Sequence, residues 1–149
     1  GDLLGIGLQH LIHTARRGVD MTVVCVNNNI YAMTGGQLAP TSCKGKVTVT
    51  SPHGSDCEPI DVFNLLKGIK GVFYARTSSA HLDHMKEVIS KGIKHKGFSF
   101  VEIRTHCFTN DGAQLGLKNG GEVAKALKEE YVVKDSVGDD KDLGVYDND

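Results

Sequence analysis

Residues 3–26, LLGIGLQHLIHTARRGVDMTVVCV, contain the pattern that decides the fold. Apolar side chains recur every three or four residues from Leu4 to Ala15, which predicts a helix over residues 3–17 that ends before Gly18. Residues 21–26 follow almost at once as a short apolar run rich in valine, which is typical of a strand covered on both faces. A helix followed directly by a buried strand indicates a parallel sheet.

Alternating helices and strands continue along the chain. The pattern predicts helices over residues 60–70, 81–95 and 122–131, and strands over residues 72–75 and 98–103. We therefore expect one α/β domain over residues 1–131, with a doubly wound, mainly parallel sheet and helices on both faces. Residues 132–149 form an acidic tail whose structure the pattern does not assign, and Asp139, Asp140 and Asp147 to Asp149 within it are expected to be solvated.

The composition is that of an ordinary α/β domain. Of the 149 residues 40% are hydrophobic and 23% are charged, and the net charge of -1 gives no general attraction to nucleic acid or anionic lipid. No apolar stretch approaches the length of a membrane span and no secretory signal is recognisable, so the expected location is the cytoplasm. Cys25 is expected to be a buried thiol, and irregular spacing disfavours a zinc site made of Cys43, His53, Cys57 and Cys107.

Two segments without regular periodicity, residues 27–58 and 105–121, each follow a predicted strand. Long irregular segments inside a compact domain are usually functional or disordered. In doubly wound sheets ligands collect at the carboxyl ends of the strands. We therefore expect the chemistry of this protein in these two segments.

The first of these segments opens with NNNIYAMTGGQ, residues 27–37. Mg²⁺ takes about six oxygen ligands, and water and a cofactor phosphate often supply several of them. The side-chain amide of Asn28 and a backbone carbonyl near Ile30 would supply two more, and the start of the first helix would suit a diphosphate. Gly35 lets a ring approach the backbone, and Met33 offers a polarizable contact. The same composition also fits an ordinary turn, so the residues alone leave both interpretations open.

Residues 1–42 resemble the thiamine-diphosphate signature of 2-oxoacid:ferredoxin oxidoreductase β subunits. The resemblance consists of a GD turn, an IG-x-x-H-x-IH-x-x-RR helix, a strand, and NN-x-x-Y-x-x-TGGQ-x-x-PT in that order, with looser matches at VFYART, HKGFSFVEI and THC. It implies the thiamine-diphosphate-binding fold and assigns Mg²⁺ to the side chain of Asn28 and the backbone carbonyl of Ile30. The cofactor site that it implies consists of Gly1, Asp2, Asn28, Ile30, Tyr31, Met33, Thr34 and Gly35.

The resemblance also implies a reaction, the oxidative decarboxylation of a 2-oxoacid to acyl-CoA and CO2 with ferredoxin as electron acceptor. The YAMTGGQ stretch that begins at Tyr31 resembles the 2-oxoglutarate branch, and Lys44 or Lys46 is a candidate for binding the distal carboxylate of that substrate. The expected partners are the α subunit of the same enzyme, ferredoxin, the 2-oxoacid and coenzyme A, within a hetero-oligomer. No residue of this chain is identified as catalytic.

The chain departs from the family pattern before Gly1, where the family has a magnesium-binding aspartate. We therefore expect a fragment of a longer subunit that is inactive alone. Cys107 falls where the family has a ligand of a [4Fe-4S] cluster; because a cluster needs about four thiolates, we expect it only in the full-length subunit. Two alternatives stay open: a non-oxidative thiamine-diphosphate enzyme, and a noncatalytic α/β module that docks a partner subunit.

Overall fold

The computed structural model describes residues 2–112 and 115–148, which form one five-stranded sheet with helices on both faces. The strand order is β1-β3-β2-β5-β4, with bounds β1 Met21–Asn27, β2 Val72–Ser78, β3 Phe98–Arg104, β4 Val132–Val133 and β5 Asp142–Asp147. Strands β1, β3 and β2 are parallel, β5 is antiparallel to β2, and β4 is parallel to β5. The predicted mainly parallel, doubly wound α/β architecture is confirmed.

The helices are α1 Leu8–Arg16, α2 Val62–Leu66, α3 Leu82–Lys94 and α4 Gly120–Glu130, with a short π-helix at Phe108–Gly112. Helices α1 and α2 pack on one face of the sheet, where the buried cluster includes Leu11, Cys25, Leu66, Tyr74 and Phe100. Helix α3 packs on the other face through Val88, which lies against Phe73, Ala75 and Val101. Complete burial of side chains of this size contributes about 1.5–3 kcal/mol each.

Helix α1 begins at Leu8, five residues after the predicted start at residue 3. Residues 2–7 form turns instead, and the N–H of Gly7 donates to the carbonyl oxygen of Asp2 over 2.6 Å. A Cβ atom at Gly7 would lie only 2.5 Å from that oxygen, so this close approach needs glycine. The apolar spacing correctly predicted a helix here, but such spacing carries no information about the tight turn before it.

Strand β1 lies at the edge of the sheet and one of its faces is partly exposed, so the prediction of a strand covered on both faces is wrong. Val24 is 45% exposed and Val26 is 67% exposed. Helix α3 reaches only the start of β1 on this face, where Thr22 Oγ1 donates to the carbonyl oxygen of Gly92 over 3.0 Å. The end of β1 therefore presents apolar side chains beside the turn that follows it.

Residues 132–133 and 142–147, whose structure the sequence pattern left unassigned, add two strands to the sheet, while Asp139, Asp140 and Asp147 are exposed. The carboxylate of Asp142 accepts hydrogen bonds from the N–H groups of Gly138 and Asp139, both at 3.1 Å, and pairs with Lys134 at 2.6 Å. Leu143 is fully buried. The aspartates therefore close a turn that returns the chain to β2.

No helix within residues 2–112 and 115–148 combines the length and the apolar character needed to cross a bilayer.

Candidate cofactor site

A cleft of about 520 Å³ opens at the carboxyl end of β1, beside the turn that follows it. It brings together six of the eight residues that the resemblance assigned to the cofactor. Its lining consists of Asp2, Val26, Asn28, Ile30, Tyr31, Ala32, Met33 and Thr34. Of the two remaining predicted residues, Gly35 follows Thr34 in the same loop but does not line the cleft, and Gly1 lies outside the described residues.

Asn27, the last residue of β1, and Asn28, which follows it, form two overlapping Asx turns. Asn27 Oδ1 accepts a hydrogen bond from the N–H of Asn29 at 3.1 Å, and Asn28 Oδ1 accepts one from the N–H of Ile30 at 3.3 Å. Asn29 has φ 54°, a left-handed conformation that asparagine tolerates better than most residues. Asn28 Oδ1 keeps a second lone pair for a ligand, because an amide oxygen accepts two hydrogen bonds.

Side chains from the following loop hold this turn in place. Thr41 Oγ1 donates to Asn27 Oδ1 over 2.9 Å, and Ser42 Oγ donates to the carbonyl oxygen of Asn29 over 2.7 Å. Lys46 Nζ donates to the same carbonyl oxygen over 3.1 Å. The loop is therefore anchored at Asn27 and Asn29, on either side of the proposed ligand Asn28.

Lys44 and Lys46, the two candidates for the distal carboxylate, line a second cavity of about 390 Å³. This cavity is also lined by Asn29, His106 and Glu130, and Asn29 lies between Asn28 and Ile30 of the first cleft along the chain. Lys44 forms an exposed ion pair with Glu58 at 2.6 Å. Both lysines thus lie close to the turn, but each already interacts with a group of this chain.

Behind the turn lies a buried charged cluster that sequence reasoning missed. Glu102 in β3 is 1% exposed and accepts hydrogen bonds from Asn27 Nδ2 at 2.8 Å, Tyr74 OH at 2.6 Å and Arg76 Nε at 2.9 Å. Arg104 Nη1 lies 3.3 Å from the Glu102 carboxylate. Burial alone would raise the pKa of Glu102, but Arg104 and Arg76, with the two neutral donors, lower it to about 2. The carboxylate is therefore ionised at neutral pH.

The TGGQ stretch closes on itself and is tied to the second irregular segment. The N–H of Tyr31 donates to the carbonyl oxygen of Gln37 over 2.9 Å, and Thr34 Oγ1 donates to Gln37 Oε1 over 2.5 Å. Asn110 Nδ2 donates to the carbonyl oxygen of Ala32 over 3.2 Å. A Cβ atom at Gly36 would lie 2.8 Å from Asn110 Oδ1, so the glycine makes room for this side chain. Met33 is left 98% exposed at the cleft.

The donor atoms at the cleft suit a hard cation. The amide oxygen of Asn28 and the carboxylate of Asp2 are oxygen ligands of the kind that Mg²⁺ prefers. Within the described ranges, the carbonyl oxygen of Ile30 receives no hydrogen bond, so it is available to a metal. The segment before α1 contributes Asp2 to the cleft, whereas the first turn of α1 does not line it. The arrangement fits a magnesium-bound diphosphate, which would supply further oxygens.

Cys107 lies near the TGGQ turn and interacts with the π-helix. Its sulfur is 3.3 Å from Thr109 Oγ1 and 3.5 Å from Asn110 Nδ2. Partial burial raises the pKa of the Cys107 thiol, but the hydrogen bonds from Thr109 and Asn110 outweigh it and lower the pKa. Across residues 2–112 and 115–148, no three His, Cys, Asp or Glu side chains are grouped closely enough to hold a metal. Cluster ligation by Cys107 stays a prediction for a longer protein.

Residues 1–103 match the family model described as the C-terminal TPP-binding domain of thiamine pyrophosphate enzymes. Among curated proteins, the chain is 40% identical to 2-oxoglutarate synthase subunit KorB of Methanothermobacter marburgensis, over 89% of this chain and 46% of that protein. It is 37% identical to ketoisovalerate oxidoreductase subunit VorA of the same organism, over 90% of this chain and 30% of that protein. The chain thus spans less than half the length of these curated relatives.

A solved structure of 2-oxoglutarate:ferredoxin oxidoreductase from Magnetococcus marinus has the same fold. It superposes with a TM-score of 0.81 at 23% sequence identity, over 100% of this chain and 54% of that chain. Together with the curated relatives, this match confirms the predicted resemblance to 2-oxoacid:ferredoxin oxidoreductases. The chain belongs to the thiamine pyrophosphate enzymes, through the C-terminal TPP-binding domain of that family.

Proposed function

We propose that this chain binds thiamine diphosphate and Mg²⁺ in the cleft after β1, as part of the β subunit of a 2-oxoacid:ferredoxin oxidoreductase. The reaction is the oxidative decarboxylation of a 2-oxoacid to acyl-CoA and CO2, with ferredoxin as the electron acceptor. The observation that carries the proposal is the convergence of Asp2, Asn28, Ile30, Met33 and Thr34 on one cleft at the carboxyl end of a parallel strand.

The residues of this chain bind and orient the cofactor. Asn28 Oδ1 and the carbonyl oxygen of Ile30 coordinate Mg²⁺, which neutralises the diphosphate. Met33, Tyr31 and Thr34 border the rings, and Gly35, with a φ of 117°, permits the loop conformation that places Thr34 at the cleft. When bound, thiamine diphosphate supplies an electron sink for breaking the bond to the carboxylate of the 2-oxoacid. No side chain of this chain is assigned a proton-transfer role.

The proposed substrate is 2-oxoglutarate. The name of the relative 2-oxoglutarate synthase subunit KorB supports this choice, whereas the name of subunit VorA points to a branched 2-oxoacid. In this proposal Lys46, which donates to the carbonyl oxygen of Asn29 in the turn after β1, contributes positive charge near the distal carboxylate. A direct comparison of the two substrates therefore tests the assignment.

The proposed partners are the α subunit of the same enzyme, ferredoxin, the 2-oxoacid and coenzyme A, in a hetero-oligomer. Val24, Val26 and Met33 are exposed apolar side chains around the cleft, and a partner subunit that covers them would also exclude water from the cofactor. Cys107 is proposed as one ligand of a [4Fe-4S] cluster whose other thiolates come from outside this chain.

The test is a titration of the complete protein with thiamine diphosphate, with and without Mg²⁺, followed by 2-oxoacid oxidation with ferredoxin and coenzyme A. We expect Mg²⁺-dependent binding and faster oxidation of 2-oxoglutarate than of pyruvate or 2-ketoisovalerate. Decarboxylation without electron transfer would instead indicate a non-oxidative thiamine-diphosphate enzyme. Failure of the complete protein to bind the cofactor would leave only the noncatalytic docking module.

A further inference from the structure

Asn27 directly precedes the proposed ligand Asn28, and three hydrogen bonds fix its side chain. Nδ2 donates to Glu102 Oε1 over 2.8 Å, while Oδ1 accepts from Thr41 Oγ1 at 2.9 Å and from the N–H of Asn29 at 3.1 Å. Asn27 is 5% exposed, so water cannot readily replace these partners. Each polar atom of the amide therefore has a defined neighbour within the protein.

Glu102 determines which way this amide faces. An ionised carboxylate only accepts hydrogen bonds, so the NH2 group of Asn27 must point toward Glu102 and the oxygen must point toward Asn29. The reversed amide would place an oxygen against the Glu102 carboxylate and an NH2 group against the N–H of Asn29. The first Asx turn would then be lost, and with it the support for the left-handed backbone at Asn29.

We propose that Glu102 is a positioning residue for the magnesium site, because through Asn27 it fixes the turn that presents Asn28 Oδ1 and the carbonyl oxygen of Ile30. Arg104 provides a second link, since its Nη1 lies 3.3 Å from Glu102 Oε1 and donates to Asn29 Oδ1 over 3.2 Å. Glu102 lies behind the turn and does not line the cleft. The inference rests on the proposed function for the identity of the ligand, while the geometry of the turn can be measured without a ligand.

The two carboxylate oxygens of Glu102 have different partners, so substitutions can test the positioning role separately from a purely structural one. Oε1 faces Asn27 and Arg104, whereas Oε2 accepts from Tyr74 at 2.6 Å and from Arg76 at 2.9 Å. Tyr74→Phe removes a hydrogen bond to Oε2 and leaves the bond from Asn27 intact. It is therefore a matched control that loosens the buried cluster without touching the turn.

The first experiment compares Glu102→Gln with Tyr74→Phe in the complete protein. In Glu102→Gln, Arg76 and Tyr74 donate to the side-chain oxygen of the new amide, so its NH2 group faces Asn27. Because two NH2 groups cannot face each other, the side-chain amide of Asn27 reverses. We expect the Mg²⁺ concentration for half-maximal binding of thiamine diphosphate to rise about tenfold or more in this variant. Tyr74→Phe should keep the wild-type Mg²⁺ dependence.

The rescue is Glu102→Gln combined with Asn27→Asp. The carboxylate then stands at position 27, where it accepts from Gln at position 102, from Thr41 and from the N–H of Asn29. We expect the Mg²⁺ dependence to return toward the wild-type value in this double variant, although Arg76 has lost its ion pair and the thermal midpoint stays low. A purely structural role predicts the opposite, with binding following the thermal midpoint in every variant.

Hydrogen exchange of the cofactor-free protein gives a readout that does not depend on the proposed function. Residues 28–31 should exchange faster in Glu102→Gln than in Tyr74→Phe, and slower again in the double variant. If Glu102→Gln does not fold, Asn27→Ala breaks the same link with both ion pairs intact and should show the same effects. Unchanged exchange and unchanged Mg²⁺ dependence in these variants would overturn the inference. Absence of cofactor binding in the wild type would instead refute the proposed function, and the exchange data would still decide the role of Glu102.

Discussion

Arg76 Nε lies 2.9 Å from Glu102 Oε2, and each of these side chains is only 2% exposed. The two residues face each other across neighbouring parallel strands, in the row where β2 also meets β5 at Gly144. Nη1 of Arg76 also donates to the carbonyl oxygen of Asp139 over 2.7 Å. One ion pair therefore connects the centre of the sheet with the turn that precedes its last strand.

Removal of Arg76 should destabilise the protein strongly, because Glu102 would keep a buried charge with fewer partners. We expect Arg76→Met to lower the free energy of unfolding by about 3–5 kcal/mol in urea titrations. Lys44→Met provides the matched control, since Lys44 and Glu58 are both mostly exposed and such pairs contribute about 1 kcal/mol or less. Equal effects of the two substitutions would show that burial of the pair has no energetic consequence.

The stability should fall in acid through Glu102. Its pKa of about 2 in the folded protein lies below its ordinary value of 4.5, so the unfolded chain binds the proton at higher pH than the folded chain does. The contribution of this group is complete above about pH 4.5 and is lost as the pH falls toward 2. Thermal midpoints measured from pH 7 to pH 2.5 should decline less in Glu102→Gln than in the wild type. Parallel declines would exclude Glu102 as the responsible group.

Asn28→Ala should weaken Mg²⁺-dependent binding of thiamine diphosphate by about tenfold or more, because the variant lacks a proposed metal ligand. The control is Asn148→Ala, at the opposite end of the strands, where Asn148 donates to the carbonyl oxygens of Lys67 and Ile69. Calorimetric titration of both variants of the complete protein measures the difference. Wild-type affinity in Asn28→Ala would remove this residue from the site.

Gly36→Ala should disturb the TGGQ turn more than Gly18→Ala disturbs the end of α1. Both glycines have positive φ angles, 90° and 60°, so each substitution carries a backbone cost of about 1–2 kcal/mol. At Gly36 the new methyl group would also meet Asn110 Oδ1 at 2.8 Å, whereas Gly18 has open space around it. Chemical denaturation should show the larger loss for Gly36→Ala. A loss no greater than that of Gly18→Ala would mean that Asn110 moves aside freely.

The four thiols should differ in their rates of alkylation. Burial, and then the nearby Glu102 carboxylate, raise the pKa of the Cys25 thiol to about 11, while hydrogen bonds lower the pKa of the Cys107 thiol. At neutral pH iodoacetamide should therefore modify Cys107 readily and Cys25 only after unfolding. Cys43 and Cys57 are exposed and serve as internal references for accessible thiols. Mass spectrometry of timed samples resolves the order.

The sequence was enough to predict that the residues of the candidate site lie close together. Asn28, Ile30, Met33 and Thr34 lie within one short loop, so their order along the chain already determines that they share a cleft once a strand precedes them. The same holds for β2, which begins with the continuous apolar run Val72–Ala75 that is typical of a strand covered on both faces. Features that depend only on residues close together in the sequence can be predicted from local patterns.

The remaining features depend on contacts between distant residues. Asn27 and Glu102 are 75 positions apart, and nothing in the local composition of β3 indicates that a charged side chain lies inside the sheet. Residues 142–147 have only short apolar stretches between aspartates, so the sequence pattern left their structure unassigned. Pairing with β2 stabilises this segment as a strand despite its charge, because Leu143 becomes fully buried and the carboxylate of Asp142 accepts a hydrogen bond from Gly138 within the turn.

The antiparallel pairing of β5 with β2 affects how the protein is made. During synthesis β1, β2 and β3 leave the ribosome well before residues 142–147, so the outer edge of β2 stays unpaired while the rest of the sheet can form. An unpaired strand edge whose apolar side chains, such as Phe73 and Ala75, are buried in the folded protein can associate with other nascent chains. Chains truncated before residue 142 should therefore aggregate or recruit chaperones, because the edge of β2 that β5 covers would stay open.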